Sequence, residues 1–207
     1  MSFNGEKSSR ADIGHDLADF VSKFVSPPTI AIVAAVCFSL WSPIGLGLLY
    51  PPLSILLCFS LLAFCPFLPV LYFYRKKVVD LYVSKKESRT PFFLIAIALY
   101  SIAVAVFFAT NTKILFLLAL SYSFVTVILL LVNRFWKVSV HSAGVAGPVF
   151  ALIFVFGVIV LPLSMLIVLV SWSRIRLKKH TFMQTLAGSL IPIAVGLVVY
   201  PVLYQLV

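Results

Sequence analysis

The residues able to do chemistry gather in a few short stretches. Between two long apolar segments runs SRIRLKKHTFMQ, residues 173–184, where Arg174, Arg176, Lys178 and Lys179 crowd just ahead of His180. One other stretch of this kind surrounds Lys137 and His141, in NRFWKVSVHSAG, residues 133–144. A neutral imidazole can attack phosphorus, and nearby cations stabilise the charge that develops on the equatorial oxygens. A second imidazole can then protonate the departing oxygen. His141 and His180 therefore suit a phosphoryl-transfer site if the two stretches meet. The plainer reading makes both of them interfacial residues in ordinary basic loops. His15, on a polar N-terminal segment, reads as a surface residue.

The elements that must position these groups are membrane helices. The chain is 62% hydrophobic with a mean hydropathy of +1.14, whereas soluble domains are roughly half apolar. Several uncharged runs reach the roughly 20 helical residues needed to cross a hydrocarbon core of about 30 Å. The alternation of a closed barrel is absent. The expected fold is an all-α polytopic membrane bundle of about six to seven spans, with residues 1–28 as an N-terminal interfacial segment and 29–207 as the transmembrane domain. In the first part, Ile13, Leu17, Phe20, Val21, Phe24 and Val25 recur at helical spacing, opposite Asp12, Asp16 and Asp19. That pattern predicts a helix lying along the membrane surface, ended by Pro27 and Pro28.

Spans are expected near 29–49, 52–73, 92–110, 113–132 and 185–206. A tight turn at Tyr50–Pro52 joins the first two, and Thr110–Thr112 joins the next pair. The apolar run Val145–Trp172 would extend roughly 42 Å as one helix. Gly157 and Pro162 in its middle predict two short helices folded back on each other. Fold-back puts all three basic loops and the N-terminus on one face, leaving only Lys113 of the sixteen Lys and Arg opposite. This asymmetry assigns the shared face to the cytoplasm. Trp41, Trp136 and Trp172 fall near the expected interfaces, as aromatic belts do.

The formal net charge is +10. With the cations set in short loops beside spans, this implies lipid headgroups or phosphate substrates as partners rather than nucleic acid. Cys37, Cys58 and Cys65 lie inside apolar runs without ligand spacing and read as packing residues. No Gly-rich nucleotide loop, carboxylate cluster or His/Cys ligand pattern is present, so neither a metal nor a cofactor is expected.

The residue order adds a family resemblance. Ser173-Arg174, five residues, His180, three residues, Gln184 resembles the third signature of the type 2 phosphatidic acid phosphatase family, Ser-Arg, five residues, His, three residues, Asp. Val138-Ser139-Val140-His141 is similar to the second signature, Pro-Ser-Gly-His. Arg89 with Pro91 is similar to the end of the first, Lys, six residues, Arg-Pro. The pieces come in the family's order over about a dozen positions. The resemblance implies a metal-independent lipid phosphatase in which His180 forms a phosphohistidine and His141 protonates the leaving lipid oxygen. It further implies that Arg89, Arg174 and the Ser139 hydroxyl or amide hold the phosphoryl oxygens.

Three positions depart from the pattern. Gln184 replaces an Asp that orients the nucleophile; its carbonyl can still fix the tautomer but adds no negative charge, a lack that Asp80 or Glu87 could offset. Tyr82 stands where the first signature has Lys, a charge that Lys85, Lys86 or Lys137 could supply. Val138 and Val140 replace Pro and Gly.

The expected activity is hydrolysis of a phosphate or diphosphate from a membrane lipid, a polyprenyl diphosphate or a phosphatidic-acid-like molecule. Minimal loops lean towards the isoprenoid. Two short penultimate helices are expected to leave a groove for its tail. The rivals are a phosphotransferase using the same site and a non-catalytic transporter or scaffold.

Overall fold

The computed structural model describes the backbone of residues 3–206 and the side chains of residues 13–205, so Asp12 lies outside the described side chains. Among the described residues nine α-helices follow one another: α1 (Phe3–Phe24), α2 (Pro27–Trp41), α3 (Pro51–Cys58), α4 (Cys65–Arg75), α5 (Thr90–Ala109), α6 (Lys113–Phe135), α7 (Val140–Phe156), α8 (Met165–Arg176) and α9 (Phe182–Leu206). No strand occurs among the described residues. The protein is an all-α polytopic bundle. Pro51–Arg75, Lys86–Ala109, Lys113–Phe135, Val140–Arg176 and Phe182–Gln205 are each long and apolar enough to cross a membrane. Ile13–Phe24 with Pro27–Trp41, bent by 46°, makes a sixth if taken as one span.

The stretch Val140–Arg176 is a hairpin. Gly157 ends α7 at φ 73°, a backbone region open to glycine, and a 3₁₀ segment through Ser164 turns the chain into α8. Ser142 Oγ consequently lies 3.4 Å from Ser171 Oγ. In one straight helix the same 29-residue separation would span about 43 Å. The expected fold-back is present, and it brings the start of α7 and the end of α8 to one end of the bundle.

The first span is shorter than expected. The structure ends α2 at Trp41, and the expected tight turn is a nine-residue loop before Pro51. Ser42 accepts a hydrogen bond from the Ile44 amide at 3.0 Å, and Pro43 cannot continue a helical ladder. The loop then docks on the α5–α6 turn through Leu48 N to Thr110 O at 2.8 Å and Thr112 Oγ1 to Leu46 O at 2.8 Å. A tertiary anchor thus overrides an apolar run that sequence alone reads as helix.

A π-helical turn, Phe59–Phe64, interrupts the second span between α3 and α4. Pro66 explains it: its ring pushes against the carbonyl four residues back, on Leu62, and it donates no N–H there.

The core is built on small residues that let helices approach, among them Ala34, Ala103, Ala119, Ala146 and Ala151, packed around Phe38, Phe107, Leu118 and Leu152. Large apolar side chains such as Val158, Ile159, Leu197 and Val198 face outward, as a hydrocarbon solvent requires. Trp41, Trp136 and Trp172 are all partly exposed near helix ends.

Candidate functional site

Three loops and the end of α1 meet at one end of the bundle. The loop before α7 and the start of α9 are joined by the Ser139 amide, which donates to Gln184 O at 3.1 Å. Lys137 Nζ donates to Lys179 O at 2.9 Å. Arg89, at the foot of α5, donates from Nε to Val83 O at 2.8 Å and from Nη1 to Val138 O at 2.9 Å. Arg174 donates from Nη1 to Ser22 Oγ at 2.8 Å. Backbone carbonyls, the Asn133 amide oxygen at 3.5 Å and one hydroxyl, none of them charged, are thus what the arginines grip.

His180 is held by its own helix start. Thr181 caps α9: its Oγ1 accepts from the Gln184 amide at 3.4 Å, and Gln184 Oε1 accepts from the Thr181 amide at 3.3 Å. This is a capping box, Thr-x-x-Gln. The same Oε1 lies 3.0 Å from Nδ1 of His180. Because the Thr181 amide can only donate, the Gln184 atom is fixed as the oxygen, and Nδ1 of His180 must carry the hydrogen. Nε2 then holds the lone pair. Burial, with Arg89, Lys137 and Arg174 adding to it against the opposing Gln184 bond, lowers the His180 pKa to about 3. The imidazole is neutral, and its free nitrogen is the nucleophilic one.

His141 is the second residue of α7, at the positive end of a 17-residue helix, where negative charge is favoured. The ring of Tyr82 meets it edge-on at 5.5 Å between centroids. Tyr82 also stacks beneath Arg174, whose Cζ is 4.4 Å from the ring centroid, and lies 5.8 Å from Lys179 Nζ. The position that departs from the first signature therefore occupies the centre of the cluster. Sequence reading weighed it only as a missing lysine.

Electrostatically the cluster is one-sided. Arg174 is 1% exposed and Arg89 5%, yet the one ion pair among the described residues is Lys23 with Asp19. The Nε of Arg174 is buried without a hydrogen-bond partner. Burial, joined by Arg89, Arg174 and Lys179, lowers the pKa of Lys137. Asp80 acts on Arg89, Arg174 and Lys137 only from beyond ion-pair distance, and buried cations so thinly compensated are costly. This arrangement is shaped for an anion.

Several expected residues are placed differently. Lys86 Nζ reaches Arg134 O and Phe135 O at 3.4 and 3.5 Å, capping the C-terminal carbonyls of α6 instead of joining the cluster. Ser139 is fully buried; its amide is taken by Gln184 O, and its Oγ accepts from the Ser142 amide at 3.3 Å and the Ser142 hydroxyl at 3.0 Å. Ser139 shapes the turn into α7, which explains how Val138 and Val140 can stand where the signature has Pro and Gly. Asp80 is not a partner of His180. Both its oxygens serve Ser84, at 2.7 Å to N and 2.7 Å to Oγ, and one of them also takes the Tyr82 amide at 3.3 Å. Burial raises its pKa, but these bonds and Lys179 outweigh it and hold the carboxyl below its ordinary value. Glu87 is exposed.

Compared with family models, curated proteins and solved structures, the chain matches none.

Proposed function

We propose that this protein is a membrane lipid phosphatase working through a phosphohistidine. The observation that carries the reading is the cluster of buried cations, Arg89 and Arg174 with Lys137 beside them, none in an ion pair among the described residues, around a histidine whose free Nε2 is fixed by its neighbours. The resemblance to the type 2 phosphatidic acid phosphatases rests on these same residues. A phosphate ester at the membrane surface supplies the missing negative charge while its tail stays in hydrocarbon.

The chemistry follows from the groups. The lone pair on His180 Nε2 forms a bond to phosphorus as the bond to the lipid oxygen breaks. Arg89, Arg174 and Lys137 take up charge on the equatorial oxygens; the planar guanidinium can donate two bonds to one phosphate. A proton from His141 goes to the departing oxygen, releasing a lipid alcohol. Water then attacks the phosphohistidine and gives its proton to His141, and inorganic phosphate leaves. Gln184 holds the His180 ring throughout. The face bearing the site is the cytoplasmic one under the positive-inside rule.

The test is incubation of purified full-length protein with lipid phosphates and diphosphates in the presence of EDTA. The expected result is phosphate release that resists chelation, an acid-labile phosphoprotein intermediate, and loss of both in His180→Ala. Release that survives in His180→Ala would overturn the reading.

A further inference from the structure

Directly beside His141 lies a cavity of about 450 Å³. It is not between the two short helices α7 and α8, where a tail groove was expected. It runs between the α1–α2 junction, the π turn, α4, α5 and α6. Arg89, Tyr82 and His141 line it at the site end, and Tyr100 and Tyr122 line it deeper in the bundle. From Arg89 to Tyr100 the chain advances eleven residues, about 16 Å along the helix. That is roughly half of a 30 Å hydrocarbon core.

The π turn explains why the space exists. Leu62 and Ala63, at the turn, are buried, whereas α4, with Pro66 in its first turn, contributes no buried residue. The chain is packed into the bundle up to the turn and leans away beyond it. Apart from the ends and Thr126, the walls are apolar, with Phe93, Ala96 and Leu129 among them. The floor is an edge-on pair, Tyr100 and Tyr122, with centroids 5.2 Å apart, and the Tyr122 hydroxyl has no hydrogen-bond partner.

We propose that this cavity receives a single hydrocarbon tail of the lipid whose phosphate sits at His180, and that Ala96 with the Tyr100–Tyr122 floor sets the longest tail accepted. The assignment of the headgroup rests on the phosphatase reading; the assignment of the tail rests on the cavity itself. Three observations select this occupant. The cavity opens at Arg89, Tyr82 and His141, which border the cationic cluster, so one molecule can reach from the cluster into it. Its lining is mostly apolar: Ser22, Lys23 and Ser26 lie at the α1–α2 junction, and Thr126, on the α6 wall, already spends its hydroxyl proton on Tyr122 O at 2.7 Å. Its depth matches an extended chain of about fifteen carbons, taking three bonds to each 3.3–3.6 Å of extension. Transfer from lipid into an apolar cavity brings little hydrophobic gain. Selection therefore comes from fit, and misfit is where the effect shows.

The experiment uses the full chain in lipid nanodiscs and measures kcat/KM for butyl, dodecyl and eicosyl phosphate and for dioleoyl phosphatidic acid. The expected wild-type order places dodecyl phosphate above both the eicosyl and the two-tailed substrate. Ala96→Phe shortens the cavity and should lower the dodecyl-to-butyl ratio roughly tenfold. Tyr100→Ala deepens it and should raise the eicosyl-to-dodecyl ratio by a similar factor. A folding defect would depress every substrate in parallel, so shifts in opposite directions identify the cavity. Retention of dodecanol is measured alongside by native mass spectrometry, in wild type and Ala96→Phe. If no phosphate is released from any substrate but dodecanol is held by wild type and lost in Ala96→Phe, the phosphatase reading fails and the tail site stands. If phosphate is released and neither variant shifts a length ratio, the tail site is overturned and the phosphatase reading stands.

Discussion

The phenol ring of Tyr82 lies with its centroid 4.4 Å from Cζ of the buried Arg174 guanidinium. A cation over an aromatic face contributes roughly 0.5–2 kcal/mol. Tyr82→Phe keeps the ring and should leave KM for a lipid phosphate close to wild type. Tyr82→Ala frees Arg174 and should raise KM by roughly 2- to 30-fold, the same energy expressed as a ratio. Steady-state kinetics on the two variants checks the difference, and an equal loss in both would point to the hydroxyl instead.

Gln184 orients His180 and caps α9 with one oxygen. Gln184→Ala removes the acceptor that fixes the tautomer, and the rate of phosphohistidine formation should fall by roughly 10- to 100-fold, as for other residues that orient a reacting imidazole. Gln184→Asp restores both acceptor roles and adds a negative charge next to the ring. It should raise the His180 pKa and stabilise the imidazolium released on dephosphorylation. Rapid-quench measurement of the acid-labile intermediate in each variant decides this.

The low pKa of His180 has a defined pH signature. In the folded protein the ring stays neutral down to about pH 3, whereas an exposed histidine protonates near 6.5. Nitrogen shifts of labelled histidine at pH 5 should show His180 neutral, with the hydrogen on Nδ1. The sign for stability follows. Between pH 6.5 and 3 the unfolded chain binds a proton that the folded one refuses, so thermal stability should fall as pH is lowered through that window.

Gly188 backs onto the Ser139 carbonyl so closely that an added Cβ would collide with that oxygen. The contact sits one helical turn from the Ser139–Gln184 backbone bond that joins the two histidine-bearing loops. Gly188→Ala should cost about 1–3 kcal/mol of stability through overpacking and reduce turnover by separating the loops. A thermal unfolding curve and a kcat measurement on this variant test both parts. Gly147→Ala is the control, since its added Cβ meets only Pro192 Cβ at an ordinary 3.5 Å.

The helical membrane architecture was legible because composition alone forces it: a backbone in hydrocarbon must satisfy itself, and long uncharged runs leave few options. The fold-back of α7 on α8 was legible from Gly157 and Pro162, and with it the meeting of the loops that carry His141 and His180. What sequence did not reveal lies in partners chosen across the fold. Lys86 is drawn to the carbonyls ending α6, a preference set by where that helix stops. Ser139 is committed to a helix cap. The early end of α2 depends on Thr110 and Thr112, some seventy residues further along. Tyr82 became visible as a central residue only once Arg174 and His141 were seen on either side of it. The signal available in advance was a lone aromatic in a loop rich in cations.

Arg174 is tied to Ser22 across 152 positions of sequence, so the pocket draws on both the opening helix and the penultimate one. During synthesis the earliest helix enters the bilayer long before its partner has been made. A ribosome product that stops short of the eighth helix lacks the guanidinium altogether, and one that lacks the first leaves that guanidinium without its anchor. Assembly of the cationic cluster therefore waits for the eighth helix, and chains that stop before it lack the buried guanidinium that Ser22 anchors.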